Sequence, residues 1–185
     1  MKKIPTVCLV VGHCKSKAGA VNAKSKVNEF GWNSLLADEI EKVLNRNGKV
    51  QCVRVWRPET NSITALVRAV NATQADCYVE LHLNASASGT ATGTEMLYWH
   101  TSARSKALAQ LLLDGTVAVL KLRNRGLRSI TSGKNGAGQL RKSNMPAVIT
   151  EAFFIDNDAD LKRGTDVMDA LAEAQAEAIE RFLIQ

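Results

Sequence analysis

Five short apolar runs of strand character, separated by stretches of helical periodicity, constrain this chain more than any other feature of its sequence. The runs are Thr6–Val11 (TVCLVV), Val50–Trp56 (VQCVRVW), Asp76–Leu83 (DCYVELHL), Gly93–Trp99 (GTEMLYW) and Ala147–Phe154 (AVITEAFF). Their Val, Ile, Leu and aromatic content suits a pleated, half-buried surface. Between them, Trp32, Leu36, Ile40 and Val43 share one helical face, which Asn47-Gly48 terminates. Ile63, Leu66, Val67 and Val70 form a shorter stripe behind Asn61-Ser62. Leu108, Leu111, Leu112 and Val119 mark a third, weakened by Gly115, and Val167, Leu171, Ala174, Ala178 and Phe182 predict a last helix. Strands alternating with helices predict an α/β domain with a largely parallel or mixed sheet.

One stretch breaks the pattern. Arg123 to Asn144 combines Gly126, Gly133, Gly136 and Gly138 with Arg123, Arg125, Arg128, Lys134, Arg141 and Lys142. It reads as a mobile basic loop holding a short strand at Leu127 to Ile130. A chain of 185 residues with neither internal repeat nor Pro/Ser-rich linker is expected to be one domain, residues 1–185. The net charge of +6 favours anionic partners, but aromatics make up only 5%, which argues against stacking on bases. With no helix-turn-helix or RNA-binding aromatic motif, nucleic acid is not an expected partner.

No run approaches the roughly 20 apolar residues of a membrane span. Met1-Lys2-Lys3 resembles the start of a signal peptide, but Pro5 interrupts the apolar run, which ends at Val11 without a small-residue cleavage site. Synthesis in the cytoplasm without a signal peptide is therefore expected. Cys8, Cys14, Cys52 and Cys77 form no C-x-x-C pair, and the apolar neighbours of Cys8, Cys52 and Cys77 predict buried free thiols.

The chain has three histidines. His13 follows the first strand and His82 lies near the end of the third, while Glu151 sits inside the last apolar run. Ligands of open α/β sheets bind at the carboxyl ends of strands. Two imidazoles and a carboxylate match the three-ligand set of a catalytic zinc, which leaves one position for water. A further carboxylate would accept the water's proton; Glu29, Glu80 and Glu151 are the candidates, and spacing does not separate them. Each residue also has a plainer explanation. Strand-end histidines are usually hydrogen-bonded structural residues, and His100 is taken as one. Glu29, behind the N-cap candidate Asn28, suits a helix dipole, and Glu80 reads as an exposed strand residue. Glu151, flanked by Ile149, Ala152 and Phe153, is costly to bury without a partner.

Taken in order, Gly12-His13, Asn28-Glu29 ahead of an amphipathic helix, LHLNAS (Leu81–Ser86), RNRGL (Arg123–Leu127) and MPAVITEAFFIDN (Met145–Asn157) resemble the zinc-dependent N-acetylmuramoyl-L-alanine amidases of the type 3 family. The resemblance runs from about Val7 to Asp160. It implies a twisted, mainly parallel sheet with helices on both faces, and one Zn2+ per chain held by His13, Glu29 and His82. It makes Glu151 the catalytic glutamate and Asn84, Arg125 and Arg141 candidates for the substrate cleft. Glu80 stands where many members carry a small residue; it would either support His82 or compete with Glu29 for the metal. The implied substrate is peptidoglycan, cut between N-acetylmuramic acid and L-alanine by a monomeric phage or prophage endolysin that reaches the wall after release. No separate wall-binding domain is expected, and the basic loop would meet the anionic envelope. The rival readings are a zinc carboxypeptidase of the wall and a non-catalytic wall-binding module.

Overall fold

Thr6–Val11 forms strand β1, buried along its whole length, as a central strand covered on both faces must be. The computed structural model describes residues 3–184; Met1 and Lys2, where the leader-like start begins, lie outside the described residues. Helix α1 (Glu29–Asn47) follows β1, opened by Asn28, whose side chain accepts from Gly31 N, and closed by a left-handed Gly48. Then come β2 (Gln51–Trp56), α2 (Ile63–Ala72), β3 (Cys77–Asn84), β4 (Thr94–Trp99), α3 (Ala103–Leu120), β5 (Asn124–Ile130), α4 (Ala137–Lys142), β6 (Ala147–Phe154), α5 (Asp158–Asp166) and α6 (Met168–Ile184).

The sheet of the described residues has the order β2-β1-β3-β6-β4-β5. Neighbours run parallel except β4 against β6, which pair antiparallel. The expected mainly parallel sheet with helices on both faces is therefore the observed one. β1 leads through α1 to β2 on one side, and β2 leads through α2 to β3 on the other. The strand order thus reverses at the carboxyl ends of β1 and β3, where such sheets open a crevice.

The two faces are covered unequally. On one, α1, α3 and α6 bury Val7, Leu9, Val11, Val79, Leu81 and Phe153 in the larger core. Gly115, expected to weaken α3, sits where an added Cβ would lie 3.2 Å from the Ala174 carbonyl of α6, so the glycine lets those helices approach. On the other face, the short α2 and α4 cover a smaller core of Cys8, Val10, Leu66, Val70, Tyr78, Leu140, Ala147 and Ile149.

One expectation is corrected. Arg123 to Asn144 is mostly ordered: it supplies the seven-residue β5 and the six-residue α4, leaving only a short turn between them. β5 is an edge strand, and its pairing to β4 satisfies backbone groups that its polar side chains do not advertise. The last helix expected from Val167 to Phe182 is α6, and a helix that no apolar stripe announced, α5, with the cap Asn157 and the acids Asp158 and Asp160 in its first turn, precedes it. Cys8, Cys14 and Cys77 are buried free thiols and Cys52 is partly buried. No helix among the described residues is long and apolar enough to cross a membrane.

Candidate metal centre

β1 ends one residue before Gly12, whose amide donates to the Leu81 carbonyl of β3. That bond brings His13 beside His82. An added Cβ on Gly12 would lie 2.4 Å from the His82 ring, so this position must be glycine for the ring to fit. His13 itself adopts a left-handed backbone, φ 68°, which costs free energy in a residue with a Cβ and turns its imidazole inward. The imidazoles of His13 and His82 meet edge to face, 5.0 Å between centroids.

Glu29, the first residue of α1 and 3% exposed, points its carboxylate between them. Its Oε1 lies 2.9 Å from His82 Nδ1 and accepts from Leu83 N at 3.0 Å. Its Oε2 lies 3.1 Å from His13 Nε2 and accepts from Ala20 N at 3.1 Å. Gly19, at φ 79°, leaves room for this approach: an added Cβ would meet Glu29 Oε2 at 2.5 Å. Burial alone would raise the Glu29 pKa, but hydrogen bonds to His13 and His82, and their charges, take it well below the usual carboxylate range. One ligand atom from each of His13, Glu29 and His82 falls within 4.8 Å of the others.

His82 also faces Glu80, on the same side of β3, through Nε2 at 3.2 Å. Burial alone would lower the His82 pKa, but the hydrogen bonds to Glu29 and Glu80 and the charges of Glu80 and Glu151 raise it to about 10. Glu80 is not the exposed strand residue expected: it is 0% exposed, paired with Arg57 and accepting from the Tyr78 hydroxyl. Burial would raise its pKa, and the contacts with His82, Arg57 and Tyr78 hold it down at about 2.

Glu151 stands opposite His82 across the β3–β6 ladder and opposite Glu95 across β6–β4. Its Oε2 is buried with no hydrogen-bond partner among the described residues. Burial is the largest influence on its pKa. The His82 charge opposes it, the charges of Glu29, Glu95 and Glu80 add to it, and the outcome is about 8. Glu95 accepts from Asn84 Nδ2 at 2.8 Å, Arg125 Nε at 2.9 Å and Arg128 Nε at 3.0 Å.

A cleft of about 700 Å³ opens over these groups, lined by His13, Glu29, His82 and Glu151 with Arg57, Asn84, Lys134 and Lys142 among its walls. Asn84 is thus where the sequence reading expects it. Arg125 and Arg141 are not among the cleft's lining residues: Arg125 is drawn to Glu95 and lies over the Phe154 ring, and Arg141 lies over Trp99. A carboxylate and an aromatic face hold the Arg125 guanidinium, and an aromatic face and the Ser132 hydroxyl hold that of Arg141. His100 is exposed and packs on Trp99, away from the site. Sequence reasoning missed Arg57 and Tyr78. Both had a signal, since Arg57 follows the carboxyl end of β2 and Tyr78 shares the parity of Glu80 and His82 along β3.

Residues 7–181 match the family described as N-acetylmuramoyl-L-alanine amidase. The chain is 32% identical to an endolysin of Bacillus phage SPP1 over 96% of its own length and 65% of the relative's. It is 27% identical to the N-acetylmuramoyl-L-alanine amidase LytC of Bacillus subtilis over 85% of its own length and 31% of the relative's. It therefore spans less than two thirds of each. The crystal structure of an N-acetylmuramoyl-L-alanine amidase from Clostridium difficile 630 superposes with a TM-score of 0.87 at 28% identity, covering 98% of this chain and 97% of that one.

Proposed function

The chain belongs to the N-acetylmuramoyl-L-alanine amidase family, and we propose that it hydrolyses the amide between N-acetylmuramic acid and the L-alanine of the peptidoglycan stem, using one zinc ion. The observation that carries this reading is the convergence of His13, Glu29 and His82, with ligand atoms within 4.8 Å of one another, beside a carboxylate that has a free buried oxygen. The donor set fits zinc. Two imidazole nitrogens and one carboxylate are its preferred ligands, and three of them leave a position open to the substrate side. The space that Gly12 and Gly19 clear around the two rings and the carboxylate supports the same fit.

When bound, the ion supplies Lewis acidity, polarising the scissile carbonyl and making water a stronger acid. The protein's own groups do the rest. Glu151, adjacent to His82 on the next strand, accepts the proton of the attacking water and returns it to the departing amine of L-alanine. A carboxylate buried enough to rise to about 8 without a cation is a competent base at neutral pH once a dication adds its opposing charge. Asn84, fixed by Glu95, presents its remaining amide capacity to the cleft.

A lytic role against a bacterial wall is supported by the resemblance to the phage endolysin along 96% of this chain. The test is metal analysis of the purified protein alongside digestion of peptidoglycan before and after chelation. About one zinc per chain and chelator-sensitive release of peptides with a new N-terminal L-alanine are expected. Release of a C-terminal amino acid would reassign the chain to the carboxypeptidases, and an inert, metal-free protein would make it a binding module.

A further inference from the structure

We propose that Glu80 is a positioning residue for His82: it accepts the hydrogen of Nε2 and so presents the Nδ1 lone pair to the cation, while Arg57 and Tyr78 lock the carboxylate in place. This inference rests on the reading of His13, Glu29 and His82 as a metal centre and names a residue that the reading does not need.

The two nitrogens of His82 face different carboxylates. Nδ1 points into the His13–Glu29 cluster, 2.9 Å from Glu29 Oε1, whereas Nε2 points back along β3 to Glu80 Oε1 at 3.2 Å. A neutral imidazole carries one hydrogen, and whichever nitrogen carries it cannot bind a metal. An ionised carboxylate only accepts, and both nitrogens face one; with Glu29 committed to the cation, Glu80 is the carboxylate left to take the hydrogen, on Nε2, and Nδ1 is freed. Glu80 is not placed to be a ligand itself. One of its oxygens is taken by Arg57 and the other by the Tyr78 hydroxyl, and it is not a member of the ligand cluster.

The support continues outward. Arg57 is 8% exposed, lines the cleft wall, and is itself held by Asn61 Oδ1 at 3.1 Å from Nη1. The β2 terminus therefore reaches the metal site through Arg57, Glu80 and His82 in turn. Burying Glu80 at 0% exposure without these donors would be strongly unfavourable, so the guanidinium and hydroxyl are what allow a full charge behind the imidazole. A carboxylate in that position raises the ligand's basicity as well as fixing its tautomer.

Two measurements test this. Nitrogen-15 NMR of the wild-type zinc-loaded protein reads the His82 tautomer directly, and a hydrogen on Nε2 with zinc on Nδ1 is expected. Chelator competition then gives zinc affinity for Glu80→Gln and for the milder Tyr78→Phe. Glu80→Gln is expected to bind zinc about 10- to 100-fold more weakly than wild type. Tyr78→Phe, which keeps the ion pair, is expected to lose less. A hydrogen on Nδ1 in the wild type overturns the proposal even if Glu80→Gln fails to fold, and so does unchanged zinc affinity in a folded Glu80→Gln. Failure of the wild type to bind zinc at all is a different result, which overturns the metal-centre reading itself.

Discussion

Strand β3 has two sides that do different work. Cys77, Val79, Leu81 and Leu83 face the larger core beneath α1, α3 and α6, whereas Tyr78 begins a row, continued by Glu80, His82 and Asn84, that ends in the cleft. The helices on the first side have 19, 18 and 17 residues, and those on the second have 10 and 6. The thick side buries apolar area, worth about 25 cal/mol per Å². The thin side leaves the carboxyl ends of β1, β3 and β6 uncovered, and a buried polar row can reach solvent only there. Alternation with a period of two lets one strand serve both purposes without a loop insertion.

If that division is right, substitutions on the two sides should separate chemistry from stability. The largest effect is expected for Glu151→Gln, which lowers peptidoglycan turnover by about 10³-fold while zinc content and fold are kept. Peptide release and metal analysis on the same sample check it, and full activity would remove Glu151 from its role. Next comes Leu81→Ala, one position from His82 but on the thick side. It should cost about 3 kcal/mol of stability in urea unfolding and leave zinc stoichiometry of the folded protein unchanged. Loss of zinc from folded Leu81→Ala would mean that the sides are not separable.

A third effect concerns pH. An unfolded Glu151 ionises near 4.5 and the folded one near about 8. Between those values the native metal-free chain holds the extra proton, so this residue's contribution to stability is full below the lower value and is lost as pH rises. Metal-free Glu151→Gln should match wild type near pH 4.5 and exceed it by roughly 4 kcal/mol near pH 8. Thermal unfolding across that range would sink the idea if the gap did not widen with pH. The smallest effect is expected for Lys134→Ser with Lys142→Ser, on the cleft rim. Binding to peptidoglycan should weaken by less than about tenfold, and only at low salt, because exposed charges are screened. A sedimentation assay over a salt series reads it.

Much of this was legible in the sequence, and the lapses have physical causes. The apolar strands announced themselves to within a residue or so: β1 and β6 begin and end where their hydrophobic runs do. β5 and α4 did not, since an edge strand and a six-residue helix need little apolar periodicity, and Gly and Arg hide what is left. α5 was silent for a similar reason: Asp158–Asp166 is mostly polar and signals itself only through its Asn157 cap. His13, His82 and Glu151 stood out by strand position and Glu29 at the head of a helix, the resemblance gave each an expected role, and the four line one cleft. The environment of Glu80 was not readable, because its neutralising partner Arg57 lies 23 positions away on another strand's exit. Arg125 and Arg141 missed the cleft for the converse reason, since the sequence does not reveal which carboxylate or ring a guanidinium will choose.

The three clustered groups come from the end of β1, the start of α1 and the end of β3, and Glu29 and His82 are 53 positions apart. No short fragment can carry them together, so the set exists only after β3 has paired with β1. An ion held there cannot nucleate the chain as it does in a zinc finger. It would instead add stability by mass action to a structure already formed. Refolding should therefore proceed at the same rate with or without zinc, while unfolding slows when zinc is present, and removing the ion should leave a folded, silent protein rather than a denatured one.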